Sequence, residues 1–246
     1  MDYYKRETML SEIGQKGLEK LQKAKVLVIG AGGLGCPALE YLATSGIGSI
    51  GIIDFDTVSE TNLARQILYT YDDLGKFKAE VAAHKIKKMN PYIEVKYWID
   101  KVNEKNIDQY LNKFDYVLDS PDNLETRYLI EEHATVLKKV IIHGSIFKFM
   151  GQVTVFTSES PCYRCVYPER PYEEDVPTCN EVGVFPALPS IIGVLQAMET
   201  IKYIVEFGEP LVGQLLTYNA LDQTMKKYKL SKNENCPICG NKGDFE

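Results

Sequence analysis

Residues 28-VIGAGGLGCPALEYLATSGIGSIGIIDFD-56 decide the fold class of this 246-residue chain. Here an apolar run ends in a glycine-rich loop, a helix-like segment follows, and a second apolar run ends at Asp54. Gly30, Gly32 and Gly35 fit the pattern G-x-G-x-x-G, in which the missing side chains let backbone amides and a helix N-terminus approach phosphate oxygens. An acid about 20 residues further on is typical of a ribose-binding side chain. The stretch therefore predicts a Rossmann-type nucleotide site, and by itself it fits NAD and ATP equally.

Apolar and amphipathic runs alternate along the chain up to residue 150. The predicted strands are 25–30, 49–55, 93–99, 114–120 and 139–145, and the predicted helices are 34–45, 60–70, 76–89, 104–112 and 124–138. Residues 5–23 have loose helical spacing and predict one or two short helices before the sheet. Strand and helix in this alternation predict an α/β, Rossmann-like fold, with a mainly parallel sheet covered by helices on both faces.

The pattern changes after Gly151. We expect a strand at 151–157, a Pro- and charge-rich loop over 158–178, an apolar helix at about 189–206, and antiparallel strands at 214–220 and 225–230. No linker separates two folding units, so we predict one domain over 1–246. Residues 1–150 would form its nucleotide-binding half and residues 151–246 its second half.

Composition limits the partners and the compartment. A formal net charge of −6 argues against nucleic acid as the main partner and favours small or protein substrates. There is no run of about 18 apolar residues, so we expect no membrane span, and the polar N-terminus is unlike a signal peptide. We therefore expect a cytoplasmic protein, in which cysteines serve as thiols or metal ligands more often than in disulfides.

Three polar residues follow the second predicted strand. Asn62 and Arg65 are three positions apart and would share one face of a helix, and Lys78 begins the next predicted helix. Solvated surface charge is the plain alternative. A dinucleotide enzyme has little use for several cations here, whereas an enzyme that cleaves a triphosphate needs them to offset charge on the leaving oxygens.

The segment 119-DSPDN-123 follows the fourth predicted strand at the same edge of the sheet. Asp119 and Asp122 could hold Mg²⁺ through carboxylate oxygens and waters. The alternative is a turn in which Asp122 or Asn123 caps the following helix.

Four cysteines form two C-x-x-C pairs, Cys162 with Cys165 and Cys236 with Cys239. Two such pairs complete a closed tetrahedral Zn²⁺ site. About 70 residues separate the pairs, so the metal would staple the C-terminal tail back onto the domain. A redox dithiol is the competing interpretation, but it would explain only one pair.

The remaining cysteines and the histidines give weaker signals. Cys36 falls in the first helix and fits a small core residue. Cys179 lies in a loop, where a structural thiol and a thiol that reaches a substrate both remain possible. His84, His133 and His143 are scattered, and no hydrolytic triad is recognisable.

Together, these segments resemble the ThiF/MoeB/HesA family, bacterial relatives of ubiquitin-activating enzymes, along nearly the whole chain. The matching segments are 6-RE-7, 30-GAGGLG-35, 54-DFDTV-58, 62-NLARQ-66, Lys78, 122-DN-123, Arg127, 161-PCYRC-165, 178-TCNEVGV-184, 196-QAMETIK-202 and 236-CPICG-240. The chain departs from the family pattern where L-D-C-T-D-N is written 118-LDSPDN-123, where S-N-L-Q-R is written TNLAR, and in its N-terminal YYKRE.

The resemblance implies a nucleotidyltransferase. In such enzymes the C-terminal glycine carboxylate of a ubiquitin-like sulfur carrier (ThiS/MoaD type, ending in Gly-Gly) attacks the α-phosphorus of Mg·ATP. The acyl-adenylate then accepts sulfur in thiamin or molybdopterin cofactor biosynthesis. No rhodanese-like extension follows the second cysteine pair, so we expect a separate sulfur donor, a cysteine desulfurase or a rhodanese. The rival functions are an NAD(P)-dependent oxidoreductase and a non-catalytic carrier-binding scaffold.

The resemblance also implies roles for particular residues. At the nucleotide these are the loop Gly30, Gly32, Gly33 and Gly35, Asp54 on the ribose, Asn62, Arg65 and Lys78 on the phosphates, and Asp122, beside Asn123, on Mg²⁺. Arg6 would reach the neighbouring subunit's site, which implies a homodimer. Cys179 matches a thiol that some members link covalently to the carrier, and Cys162, Cys165, Cys236 and Cys239 match the family's zinc ligands. The half over 151–246 would bind the carrier and the zinc.

Overall fold

An eight-stranded sheet runs through the part of the chain that the computed structural model describes, residues 2–171 and 183–240. The strands are β1 Lys25–Ile29, β2 Ser49–Ile53, β3 Glu94–Trp98, β4 Tyr116–Asp119, β5 Val140–Phe147, β6 Met150–Phe156, β7 Gln214–Asn219 and β8 Thr224–Lys229. Their order in the sheet is β3-β2-β1-β4-β5-β6-β7-β8. Neighbours from β3 to β5 are parallel, and neighbours from β5 to β8 are antiparallel. The predicted fold class is confirmed.

Eight helices accompany the strands within these described residues. They are α1 Lys5–Thr8, α2 Gly14–Lys23, α3 Gly35–Thr44, α4 Lys78–Met89, α5 Ile107–Leu111, α6 Leu124–Val136, α7 Tyr163–Val166 and α8 Leu188–Val205. Helix α3 packs on α4 and α8, α2 packs on α8, and α8 covers β5 and β6. Helices α5, α6 and α7 form the other layer.

Strand β1 shows why both faces of the sheet are covered. Val26 and Val28 belong to the core beneath α3 and α8, whereas Leu27 and Ile29 belong to the core beneath α5 and α6. Successive side chains of a strand point to opposite faces. Since four successive positions of β1, 26–29, are apolar, the strand must be buried on both sides, as expected for a parallel sheet between two helical layers.

Two predicted helices differ in the structure. The predicted helix 60–70 is wrong: only the 3₁₀ turn Glu60–Asn62 forms there, because Asn62 Oδ1 accepts from Ser59 N at 3.2 Å and closes a capping box. Helix α5 begins later than predicted, at Ile107, because Asn106 Oδ1 accepts from Asn103 N at 2.7 Å and fixes a turn. Polar side chains that bond locally compete with helix formation at both places.

Helix α8 carries Pro189 in its first turn, as predicted. By length and composition alone α8 is apolar enough to cross a membrane, with a mean hydropathy of 1.2 over 18 residues. However, 56% of that window is buried inside the protein, where α8 packs on α3, β5 and β6. Helix α8 is therefore a core helix that packs its apolar side chains against the sheet.

Candidate functional site

A cavity of about 910 Å³ opens at the carboxyl ends of β1, β2 and β4. Because β2 lies on one side of β1 and β4 on the other, this is the point where the strand order reverses and where open α/β sheets bind ligands. Eight of the predicted nucleotide-site residues line it: Gly30, Gly32, Gly33, Asp54, Arg65, Lys78, Asp122 and Asn123. Gly35, Asn62 and Arg6 do not line it.

The glycine loop has the tight geometry that its sequence predicts. Gly30 has a φ of +97°, and a Cβ there would lie 2.7 Å from the Ser120 carbonyl oxygen. A Cβ on Gly35 would lie 2.0 Å from the Gly30 carbonyl oxygen. Gly35 therefore serves the packing of the loop against α3. The N-terminus of α3, with its partial positive charge, lies beside the cavity.

Asp54 directly follows β2, and both of its carboxylate oxygens accept hydrogen bonds from the backbone. Oδ2 accepts from Ala31 N at 2.7 Å, and Oδ1 accepts from Asp56 N at 2.8 Å. Burial raises the pKa of Asp54, and the Lys78 charge and these two amides partly offset the effect. Each oxygen keeps a further lone pair, so the carboxylate can still accept hydrogen bonds from a pair of ribose hydroxyls.

Lys78 is buried at the first position of α4, and its Nζ donates to Asp56 Oδ2 at 2.9 Å. The exposed fraction of the side chain is 7% for Lys78 and 50% for Asp56. Sequence analysis missed Asp56, although the spacing Asp-x-Asp at the end of β2 could have drawn attention to it. A phosphate at this edge would compete with Asp56 for the ammonium group.

Arg65 lines the cavity from a turn that directly follows Glu60–Asn62, where its N donates to the Asn62 carbonyl oxygen at 3.0 Å. Its Nη1 donates to the Thr61 carbonyl oxygen at 2.9 Å. The side-chain oxygen of Asn62 accepts a hydrogen bond from Ser59 N, and Asn62 does not line the cavity. The structure adds Gln66, which is buried, lines the cavity, and has an Oε1 without a hydrogen-bond partner among the described residues.

The loop between β4 and α6 places Asp122 and Asn123 at the cavity. Asn123 Oδ1 accepts from Thr126 N at 2.9 Å, so the capping alternative is confirmed for Asn123. Asp122 is exposed and lines the cavity. The hypothesis that Asp119 joins Asp122 in a magnesium site is wrong: Asp119 is fully buried, and its Oδ2 lies 2.7 Å from His143 Nδ1.

Asp119 belongs to a buried polar cluster with Arg127, Glu131 and His143, none of which sequence analysis had assigned to a common group. Burial raises the pKa of Glu131 to about 7. Burial alone would lower the pKa of His143, but its contacts with Asp119 and Glu131 outweigh that effect and raise it. The sequence does indicate part of this cluster, because Arg127 and Glu131 are four residues apart on one predicted helix and so share one of its faces.

One predicted catalytic residue, Arg6, lies apart from this geometry. Arg6 is exposed on α1 and does not line the cavity of its own chain. Its proposed reach into a neighbouring subunit remains a prediction. Cys179 lies outside the described residues.

The four cysteines of the two C-x-x-C pairs meet in one cluster, which we call the cysteine cluster. The Sγ atoms of Cys162 and Cys236 lie 3.5 Å apart, and those of Cys165 and Cys239 lie 3.3 Å apart. These separations are far longer than a disulfide bond. They are close to the roughly 3.8 Å expected between sulfurs that share a tetrahedral ion at about 2.3 Å.

The surroundings of the cysteine cluster favour the thiolate at Cys236, whereas burial raises the pKa of Cys162 and of Cys239. Burial would raise the pKa of Cys236, but the Cys239 and Ile238 backbone amides outweigh it and lower the pKa to about 7. Asn233 N donates to Cys165 Sγ at 3.4 Å. A Cβ on Gly240 would lie 2.5 Å from the Cys236 carbonyl oxygen, so the second turn requires glycine. The donor set therefore fits a soft ion such as Zn²⁺.

Known proteins resemble this chain in sequence and in fold. A model of the ThiF family matches residues 4–238. The sulfur carrier protein adenylyltransferase of Thermus thermophilus is 41% identical over 246 residues, which covers 98% of this chain and 91% of the relative. The SAMP-activating enzyme E1 of Haloferax volcanii is 39% identical over 243 residues, which covers 99% of this chain and 90% of the relative. A crystal structure of E. coli MccB with ATP has a TM-score of 0.78 and 25% identity, and the match covers 92% of this chain and 68% of MccB.

Proposed function

The chain belongs to the ThiF family, and on that premise we propose that it is an ATP-dependent adenylyltransferase. Its substrate would be the C-terminal glycine of a ubiquitin-like sulfur carrier protein of the ThiS/MoaD type, activated as an acyl-adenylate. Sulfur transfer for thiamin or molybdopterin cofactor synthesis would follow. The names of the relatives from Thermus and Haloferax support this substrate class, and the ATP in the MccB crystal structure supports the nucleotide.

One observation carries the proposal: Arg65, Lys78 and Asp122 come from three separate segments of the chain and line one cavity beside a helix N-terminus. The attacking carboxylate of the carrier is already ionised, so the reaction needs no enzyme nucleophile. The protein must align the carboxylate with the α-phosphorus and stabilise the charge that develops on the phosphates. Two cations, one carboxylate that holds Mg²⁺, and the partial positive charge of the helix N-terminus can do that.

We assign each residue a part in this reaction. The glycine loop lies against the phosphates, and Asp54 accepts from the ribose hydroxyls. Lys78 leaves Asp56 for a phosphate oxygen, and Arg65 neutralises the leaving pyrophosphate. Asp122 takes Mg²⁺, which would neutralise phosphate oxygens when bound.

The second half of the chain has a structural and a recognition part in the proposal. We propose that residues 1–150 bind the nucleotide, and that residues 151–246 bind the carrier and one Zn²⁺ in the cysteine cluster. The ion would tie the C-terminal turn at Cys236 to the turn at Cys162 and supply no reactive group. We further propose a homodimer in which Arg6 completes the neighbouring site, and a separate protein as sulfur donor.

The oxidoreductase alternative has lost its support. It rested on the glycine loop and Asp54, which adenylyltransferases also use, and the named relatives activate carriers. A thermal shift separates the two cheaply, because the nucleotide that binds the folded state raises its melting temperature. We expect the shift with Mg·ATP and none with NAD⁺.

Isotope exchange between pyrophosphate and ATP tests the proposal. Reversible adenylation returns labelled pyrophosphate to ATP only while a carrier carboxylate is present. We expect exchange with a carrier that ends in Gly-Gly and none with the same carrier lacking its last glycine. No exchange with any diglycine carrier in the presence of Mg²⁺ would contradict the proposal. The same assay is run with an Arg65→Ala variant. Full activity in that variant would favour the rival function, a non-catalytic carrier-binding scaffold.

A further inference from the structure

The loop that carries Asp122 rests on the buried cluster described above. Arg127, on the first turns of α6, donates from Nη2 to the Pro121 carbonyl oxygen at 2.8 Å. Its side chain is only 9% exposed. Pro121 immediately precedes Asp122, so this hydrogen bond fixes the peptide from which the Asp122 side chain projects.

Asp119 in turn holds Arg127. Asp119 Oδ2 lies 3.4 Å from Arg127 Nε, and both side chains are buried. The backbone of Asp119 is fixed as well, because its carbonyl oxygen accepts from Gln196 Nε2 at 3.1 Å. The two ends of the segment 119–123 are therefore tied down, at Asp119 by this contact and at Asn123 by the helix cap. Between them, Ser120 N donates to the Ile29 carbonyl oxygen at 3.1 Å, and Arg127 holds the Pro121 carbonyl oxygen next to Asp122.

His143 and Glu131 complete the cluster from behind. His143 pairs with Asp119 in register across β4 and β5, and its Nδ1 lies 2.7 Å from Asp119 Oδ2 and 3.2 Å from Glu131 Oε1. The Tyr163 ring from α7 lies 5.2 Å from the His143 ring. These groups, from β4, α6, β5 and α7, are the titratable groups that face one another there.

A metal ion is a weaker explanation of this cluster. One ligand atom each from Asp119, Glu131 and His143 lies within 4.8 Å of the others. However, Arg127 already supplies the positive charge, and all three side chains are buried. A single proton between Glu131 and His143 then balances the remaining charge. The charges of the cluster therefore balance without a metal ion, while Asp119 Oδ1, His143 Nε2 and both Glu131 carboxylate oxygens have no hydrogen-bond partner among the described residues.

We propose that Arg127 and Asp119 are positioning residues that hold the Pro121–Asp122 peptide so that the Asp122 carboxylate meets Mg²⁺ with little rearrangement. This inference rests on the proposed function, in which Asp122 binds Mg²⁺. Arg127 acts on Asp122 only through the backbone of Pro121, the residue that precedes Asp122. Its removal therefore matters only while Asp122 is present.

A double-mutant cycle on Mg²⁺-dependent nucleotide binding tests this inference. The variants are Arg127→Lys, Asp122→Asn and the pair together, and ATP affinity is measured by calorimetry with and without Mg²⁺. In the wild type we expect Mg²⁺ to strengthen ATP binding. Arg127→Lys should lose about tenfold of that gain, the size of one charge-assisted hydrogen bond. Added to Asp122→Asn, it should change affinity by less than about twofold, because sites that act as a unit are not additive.

Two further variants keep the cycle interpretable. Asp119→Asn keeps the shape of the side chain but removes the charge that aligns Arg127, and we expect a smaller loss in the same direction. Glu132→Gln is the matched control, since Glu132 is next to Glu131 but pairs with Arg164 and Arg170 on the outer side of α6. It should leave the Mg²⁺ gain unchanged.

Three results would overturn the inference. The first is an equal loss from Arg127→Lys with and without Asp122. The second is ATP binding that does not respond to Mg²⁺ in the wild type. The third is the failure of both Arg127→Lys and Asp119→Asn to fold, which would make the cluster part of the core. Missing pyrophosphate exchange with an intact Mg²⁺ gain would instead contradict the proposed function alone.

Discussion

Lys78 Nζ donates to Asp56 Oδ2 at 2.9 Å, with the lysine buried and the aspartate half exposed. The pair holds the Lys78 ammonium group beside the glycine loop, where a triphosphate can replace Asp56 as its partner. Asp56 keeps the ammonium group ordered before the nucleotide arrives, and its own exposure keeps the pair weak, because exposed partners are screened by water.

Replacing Lys78 by Met should therefore leave the fold intact and slow the reaction. One stabilising charge is worth roughly 10²–10³ in rate at such a site. Pyrophosphate exchange under saturating Mg·ATP measures the loss. Lys76→Met is the control, because Lys76 is 58% exposed, pairs with Asp73 and lies outside the cavity. A loss of less than tenfold in Lys78→Met would argue against the assignment.

The glycine loop permits a paired test of packing against binding. Gly35→Ala places a Cβ 2.0 Å from the Gly30 carbonyl oxygen and should destabilise the fold by about 2–4 kcal/mol or prevent it. Gly32→Ala places its Cβ 3.7 Å from Gln66 Nε2, at the cavity wall, and should fold normally while binding ATP less tightly. Urea unfolding and calorimetry separate the two outcomes. Equal stability of both variants would contradict this division of roles.

The sequence predicts most of the fold because the strongest signals are periodic and local. Apolar runs identify all eight strands. The glycine loop and the two C-x-x-C pairs identify three of the tight turns. The turn at 59–66 escapes this reasoning, because whether Asn62 caps a turn or continues a helix depends on a hydrogen bond to Ser59. The contacts of Asp56 with Lys78 and of Asp119 with His143 join distant segments, so only the folded chain reveals them.

The buried cluster should make stability depend on pH through Glu131. Its pKa of about 7 in the folded protein lies above the ordinary value of 4.5, so between these values the folded state binds the proton more tightly than the unfolded state. The free energy of unfolding that protonated Glu131 contributes is fully present below pH 4.5. It is lost as the pH rises through the folded-state pKa of about 7. Glu131→Gln removes this loss, so relative to the wild type it should gain on the order of 2 kcal/mol between pH 5 and pH 8.

Urea unfolding at intervals across that range measures the effect. Glu132→Gln, on the outer side of the same helix, should shift the unfolding curve by the same amount at each pH. A difference between Glu131→Gln and the wild type that stays constant with pH would show that Glu131 does not hold the proton.

Removal of the ion from the cysteine cluster should loosen the C-terminal turn. We expect about one equivalent of zinc per chain by metal analysis. Cys239→Ser should lose the zinc and lower the melting temperature by roughly 4–8 °C, the equivalent of about 2 kcal/mol for a chain of this size. Cys36→Ala, in the buried start of α3, should keep the zinc. Metal-free wild-type protein with full stability would refute the staple.

Cys179 should matter for sulfur and not for ATP. If its thiol forms a link with the activated carrier, Cys179→Ser keeps pyrophosphate exchange and lowers only the yield of sulfurated carrier when a sulfur donor is added. Thiocarboxylate formation and exchange are measured on the same preparation. Loss of exchange in this variant would show that the two steps are not separate.

Mass spectrometry of the intact carrier after incubation with this protein and Mg·ATP tests the central claim most directly. The account predicts a carrier heavier by one adenylyl group, formed with the wild type, nearly absent with Lys78→Met, and absent when the carrier lacks its terminal glycine. A diglycine carrier that keeps its original mass while the protein binds Mg·ATP would contradict the account.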